Sequence, residues 1–368
     1  MATIINQKPR LLSLDVFRGI TVAAMILVNN PGDWGHIYAP LEHSAWNGCT
    51  PTDLIFPFFL FIVGVSIVYA METKAENEAN HSKIIWTALR RSVILITISL
   101  ITQLLFHPGL AHLRFPGVLQ RIGVVYFVCV VLYLKTSQKT RDWLLAIILV
   151  GYYVLLNFVP VPDTGVASLE PETNFGAWLD RTVFTTNHLW SESQTWDPEG
   201  LLGTIPAIAT GLIGIRIGSW LKRKDRDEGV KISWMLTYGV LAIVAGLIWD
   251  MFFPINKALW TSSYVLYAGG WAIAGLAICY WLVDVQGYKK FATPFVAFGV
   301  NALFAYILSN YIPHYLNRLK FGGATIYQSV FAPYFSPYNA SVMCAMALVL
   351  LIWLIMWILY LRKIIIKV

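Results

Sequence analysis

The sequence predicts an all-α, polytopic integral membrane protein with about ten transmembrane helices and both termini in the cytoplasm. Three observations carry this expectation. Apolar residues make up 57% of the 368 positions and charged residues 13%, with a mean hydropathy of +0.61; soluble domains carry about 25% charged residues. Apolar runs of about 20 residues recur along the chain, the length needed to cross hydrocarbon with every backbone group paired. Lys and Arg gather in alternate loops.

The expected spans are about 12–30, 51–71, 84–106, 117–134, 142–160, 199–221, 232–252, 261–283, 293–313 and 340–361. The polar start Met1–Arg10 runs into the first span with no small-residue cleavage pattern before Asn29, so no cleaved leader is expected. On one side lie Lys8, Arg10, Lys74, Lys83, Lys135, Lys139, Arg141, Lys222, Arg223, Lys224, Arg226, Lys289, Lys290, Arg362, Lys363 and Lys367. The opposite loops hold only Arg114, Arg181, Lys257, Arg318 and Lys320. That asymmetry makes the first side cytoplasmic. It also accounts for the net charge of +7 without a nucleic-acid partner. Cys49, Cys129, Cys279 and Cys344 show no CxxC spacing, so neither a disulfide framework nor a zinc site is expected. No paired, similarly broken helices of the inverted-repeat transporter kind are visible.

Ionisable and amide groups in or beside spans are expensive, and they cluster here. The first span opens Ser13-Leu14-Asp15-Val16-Phe17-Arg18-Gly19, where Asp15 and Arg18 share a helix face and can pair. Two readings stand open: a structural ion pair, or Arg18 as a cationic contact for a phosphate-bearing ligand from the cytoplasm. Asn29-Asn30-Pro31-Gly32 ends that helix. The next outside loop runs Leu41-Glu42-His43-Ser44-Ala45-Trp46-Asn47-Gly48 into Thr50-Pro51-Thr52-Asp53, where Pro51 suits a helix start and Asp53 its dipole. Pro57 inside the second span predicts a kink.

His43 stands among Asn, Glu, Trp and Ser at a helix junction, where an imidazole can act as base or nucleophile. His107 and His112 flank Pro108-Gly109, without the carboxylate or cysteine pattern of a metal site. Gln120-Arg121 opens the fourth span. Trp196-Asp197-Pro198-Glu199-Gly200 opens the sixth with two carboxylates at a helix N-terminus. Asn256-Lys257 leads into the eighth, and Asn301 sits within the ninth. Most of these groups are expected in the outer half of the membrane. The outside loop 161–198 holds Trp178, Trp190 and Trp196 with amides and carboxylates, which suits either interfacial anchoring or stacking on a sugar.

The runs Arg10–Gly19, Val28-Asn29, His43–Gly48, Asp53–Pro57, Leu119–Gly123, Asp197–Ile205, Asn256–Trp260 and Gly299–Ala302 resemble the heparan-α-glucosaminide N-acetyltransferase family of transmembrane acyltransferases. The likeness covers most of the membrane region in order, as one transmembrane acyltransferase domain over residues 1–368. By the same resemblance the chain is expected to lack the extra N-terminal helix and luminal domain of the lysosomal members and to be a compact bacterial version in the inner membrane.

The resemblance implies transfer of an acetyl group from cytoplasmic acetyl-CoA to an amino sugar on the periplasmic side, with no metal. It makes His43 the active histidine, facing the periplasm, with Asn29 beside it. His43 would accept the amine proton, or attack first and carry the acetyl group. Asn29 would donate to the oxyanion. Trp46, Asn47, Asp197, Glu199, Asn256, Lys257 and Asn301 are candidate substrate contacts; Asp15, Arg18, Gln120, Arg121 and Arg216 are candidate acetyl-CoA contacts. A homodimer is also implied. The rival readings are a secondary transporter of a sugar or small solute, a lipid-handling flippase, and an O-acyltransferase of cell-surface polysaccharide.

Overall fold

The computed structural model describes residues 11–75, 77–106, 109–316, 318, 320 and 323–366. Lys8, Arg10, His107 and Lys367 lie outside the described residues, as does the side chain of Lys74. Among the described residues there is no β-strand. The helices are α1 (Leu12–Asn29), α2 (Ile55–Ala75), α3 (His81–Phe106), α4 (Val118–Lys135), α5 (Gln138–Phe158), the short α6 (Phe175–Phe184) and α7 (Thr204–Leu221). They continue with α8 (Glu228–Asp250), α9 (Ser262–Tyr280), α10 (Lys289–Val300), α11 (Ala302–Leu316) and α12 (Pro337–Leu361).

Nine helical segments among the described residues are long and apolar enough to cross a membrane, and a tenth span is split. The expected ninth helix, 293–313, is two helices, α10 and α11, bent by 70° at Asn301. Hydropathy does not register the break, because both arms are apolar. The second span runs unbroken through Pro57, whose missing N–H falls in the first turn of α2, where it costs no helical bond. The sixth span begins at Thr204 rather than 199, so Asp197 and Glu199 belong to a loop and not to a helix start.

The chain forms two compact units. The first comprises the chain up to His43, Thr50–Ile55, and Ala274 onward. Its centre is α1 against α10 and α12. A Cβ on Gly19 would stand 1.9 Å from the Phe295 carbonyl oxygen, and one on Gly299 equally close to that of Asp15. Small residues let helix backbones touch where lipid supplies no hydrophobic drive between them.

The second unit comprises Ser44–Cys49 and Phe56–Ile273. In it α3 lies along α4, and α7 packs against α4 and α5. Gly64 of α2 and Gly214 of α7 meet in the same glycine-dependent way: a Cβ on Gly64 would stand 2.1 Å from the Gly211 carbonyl oxygen, and one on Gly214 2.1 Å from that of Phe61. The segment 159–203, with α6, stands outside the spans and carries Trp178, Trp190 and Trp196.

Candidate active site

In the first unit, the loop after α1 returns to the start of the second span through a capping box. Thr50 and Asp53 cap the 3-10 turn Pro51–Leu54 reciprocally, the Thr50 amide donating to Asp53 Oδ2 at 3.0 Å. Hydroxyls of the same turn hold the preceding loop: Thr50 Oγ1 donates to the Glu42 carbonyl at 2.7 Å, and Thr52 Oγ1 to that of Pro40 at 3.1 Å. His43 lies between these anchors, and its Nδ1 is 2.7 Å from Asp53 Oδ1. A carboxylate only accepts, so Nδ1 carries the hydrogen and Nε2 is the basic nitrogen of the neutral ring. The imidazole is half exposed while the Asp53 side chain is 1% exposed. A solvent-facing histidine is thus fixed in orientation and tautomer by a buried carboxylate. Asn29 is the last residue of α1 and is exposed.

At the other end of α1, Arg18 Nη1 donates to Asp15 Oδ1 at 2.8 Å and to the Gly299 carbonyl at 3.2 Å. Asn301, expected within the ninth span, follows Gly299 by two residues at the break between α10 and α11. Its Nδ2 donates to the Ile364 carbonyl at 3.1 Å and its Oδ1 accepts from the Ile366 amide at 2.9 Å, so the break between α10 and α11 clasps the C-terminal tail.

In the second unit, Arg114 reaches from the loop before α4 to both carboxylates of the 197–199 loop. It binds Asp197 bidentately, Nε to Oδ2 at 2.7 Å, and gives Nη2 also to Glu199 Oε2. Asp197 is buried. Burial opposes the Arg114 charge, but the Asp197 hydrogen bonds and the fields of both carboxylates outweigh it and raise the guanidinium above its ordinary value. Burial likewise opposes ionisation of Glu199. The nearby charges of Arg114, Arg121 and Lys257 win, and they hold its pKa down.

Asn256, fully buried, braces the 254–261 turn: its Oδ1 accepts from the Leu259 amide at 2.8 Å and its Nδ2 donates to Asn47 Oδ1 at 3.2 Å. Lys257 is half buried in the same turn. Trp46 donates its indole N–H to the Leu169 carbonyl at 3.1 Å and meets the Trp196 ring edge-on at 4.9 Å. These two rings, with Asn174, Asp180 and Tyr152, line a small cavity of about 20 Å³, room for about one water. Burial raises the Asp180 carboxyl to about 7, the Asp197 charge adding to the effect. One oxygen of Asp180 accepts from the Leu201 amide at 2.8 Å.

Arg121 is 2% exposed. Its Nη2 donates to the Gly200 carbonyl at 2.9 Å and its guanidinium lies 5.0 Å from the centre of the Trp260 ring. Its Nε and Nη1, and both polar atoms of the buried Gln120 amide, have no hydrogen-bond partner among the described residues. Arg216 is exposed on α7, with Asp142 at 3.8 Å.

Sequence reasoning missed three participants. Asp53 was legible only as a helix-start residue, Arg114 only as a loop charge, and Asp180 not at all. Among the described residues no group of three or more His, Cys, Asp and Glu side chains could hold a metal ion.

Residues 10–247 match the sequence pattern of the family described as "Heparan-alpha-glucosaminide N-acetyltransferase, catalytic". The chain belongs to this family. The heparan-alpha-glucosaminide N-acetyltransferases of Homo sapiens and Mus musculus are 31% and 32% identical to it, each over 83% of this chain and 54% of their own length. The chain therefore spans about half the length of the curated relatives it matches. The matched region contains Asn29, His43, Asp53, Arg114, Arg121, Asp180, Asp197 and Glu199, while Asn256, Lys257 and Asn301 lie beyond it.

Proposed function

We propose that the chain is a membrane-embedded acetyltransferase that moves the acetyl group of acetyl-CoA to the amino group of a glucosamine-type sugar. The observation that carries this reading is the His43–Asp53 pair, together with membership of an N-acetyltransferase family. Aminolysis of a thioester needs a base for the amine proton and a donor for the oxyanion. With Nδ1–H given to Asp53, Nε2 of His43 takes the amine proton as the nitrogen attacks the carbonyl carbon. The C–N bond forms, the C–S bond breaks, and the proton passes to the departing thiolate. In the alternative route Nε2 attacks first and expels the CoA thiolate, giving an acetyl-imidazole; the amine then attacks its carbonyl carbon and releases the imidazole. Asn29 is the proposed oxyanion donor.

The charge bias of the loops supports a cytoplasmic donor and an acceptor on the opposite face. In a bacterial inner membrane that orientation turns His43 toward the periplasm. For acetyl-CoA, Arg121 and Gln120 are the favoured contacts of those expected. Burying an arginine with two unanswered guanidinium nitrogens is costly unless a ligand or water answers them. The acceptor is proposed to meet Trp46 and Asn47. Asp197 and Glu199 are engaged by Arg114, which favours a supporting role for them over direct sugar contact. A homodimer is part of the same proposal.

The experiment reconstitutes the purified chain with labelled acetyl-CoA and glucosamine. The expected product is labelled N-acetylglucosamine, and its formation should require both substrates. Movement of unmodified glucosamine without acetyl-CoA would instead identify a carrier, and label on a hydroxyl would identify an O-acyltransferase.

A further inference from the structure

The second unit contains a cavity unrelated to the groups above. About 400 Å³ in volume, it is lined by Ala70 and Met71 of α2, by Asn80, Lys83, Ile84, Thr87 and Arg91, and by Tyr126 of α4. Lys83, Thr87 and Arg91 stand at i, i+4 and i+8, one stripe of α3. Neither Lys83 nor Arg91 has a carboxylate within ion-pair distance among the described residues. The cavity is large enough for a small ligand. It offers two cations, hydroxyls and an amide beside an apolar wall. That combination suits a phosphate on an apolar tail.

The position of α3 indicates the source. With the turn before it, the helical segment Glu78–Phe106 has 29 residues, about 43 Å, against roughly 30 Å of hydrocarbon. The apolar run from Ser92 to Phe106 belongs in the hydrocarbon, so Lys83 and Arg91 fall at headgroup depth. Helical side chains tilt toward the helix N-terminus, which carries the Arg91 guanidinium further toward that interface. Only 11% of the apolar window of α3 is buried within the protein, so the helix presents itself to lipid.

We propose that this cavity binds the phosphate headgroup of an anionic phospholipid from the leaflet at the N-terminal end of α3. By the loop-charge bias this is the cytoplasmic leaflet. The test uses the full chain, stripped of lipid in detergent and titrated with phosphatidylglycerol or phosphatidylcholine, with bound lipid counted by native mass spectrometry. Wild-type protein should retain phosphatidylglycerol preferentially, and salt should weaken it. Lys83→Gln and Arg91→Gln should each weaken retention about fivefold, and the double variant roughly 25-fold. Lys83→Arg and Arg91→Lys should keep most of it. Equal retention of both lipids by wild type, or unchanged retention by the double variant, would overturn the proposal. Stoichiometric displacement of phosphatidylglycerol by free coenzyme A would overturn the lipid source, because the phosphate would then come from a soluble ligand. The wild-type selectivity and its salt dependence decide the matter even if a variant misfolds.

Discussion

The His43 loop and the Arg114 cluster are both built from a cation-forming side chain and carboxylates beside a span, yet they are arranged in opposite ways. In the first, a buried carboxylate holds a ring whose other half faces outward. In the second, a single arginine closes on two carboxylates, with both Asp197 oxygens and one of Glu199 taken by the guanidinium. A half-exposed imidazole keeps part of its ring open to solvent. A closed cluster spends its hydrogen bonds on the fold. The difference lies in how far the cation-forming side chain is open to solvent, half exposed for His43 and about a quarter exposed for Arg114.

The largest effect should therefore come from the open pair. His43→Ala should lower acetyl transfer by about 10⁴ or more, and Asp53→Asn by roughly 10³–10⁴, because an amide N–H facing Nδ1 reverses the tautomer. Both should leave the thermal midpoint nearly unchanged; the amide introduced by Asp53→Asn would keep an acceptor oxygen for the Thr50 cap. Rates at saturating acetyl-CoA, read beside melting curves, check this. An Asp53→Asn protein retaining a tenth of the wild-type rate would end the dyad assignment.

Arg114→Leu should show the reverse signature. Removing the cation strands two buried carboxylates, a cost of about 3–5 kcal/mol that should lower the midpoint by roughly 5–10 °C. Adding Asp197→Asn and Glu199→Gln should return part of the loss. A stable Arg114→Leu protein with only a raised acceptor KM would make the cluster a sugar site rather than a brace.

Asn29→Ala tests whether the open region extends beyond the dyad. The loss of an oxyanion donor should cut turnover by roughly 10²–10³ with little change in acetyl-CoA affinity. The opposite pattern, with affinity falling and turnover kept, would make Asn29 a binding residue.

What the sequence discloses follows the same division. The spans were legible because hydrocarbon demands about 20 apolar residues per crossing, and the Asp15–Arg18 pair because an i,i+3 spacing fixes a helix face. The His43–Asp53 contact was not, since ten residues of loop carry no periodicity and only the Thr50–Asp53 cap folds them back. The bend at Asn301 was hidden because both arms are apolar, and the side chain at the break binds a tail residue 63 positions away. Arg91 escaped notice beside Arg90 at the polar end of a span that is apolar from Val93 onward.

The smallest expected effect belongs to Asp180, between the two regimes: buried like the cluster, yet without a cation within ion-pair distance among the described residues. Its carboxyl sits at about 7 in the fold against 3.8 as the ordinary value, chiefly through burial. The folded state thus favours the protonated form. That contribution is fully present below about pH 3.8 and is lost as pH rises through about 7. Asp180→Asn mimics the protonated side chain and keeps an oxygen for the Leu201 amide. It should therefore melt a few degrees above wild type at pH 8, with the gap narrowing steadily and closing near pH 4. Parallel melting curves across that range would mean that the carboxylate is already ionised in the fold and that a compensating charge or water holds it there.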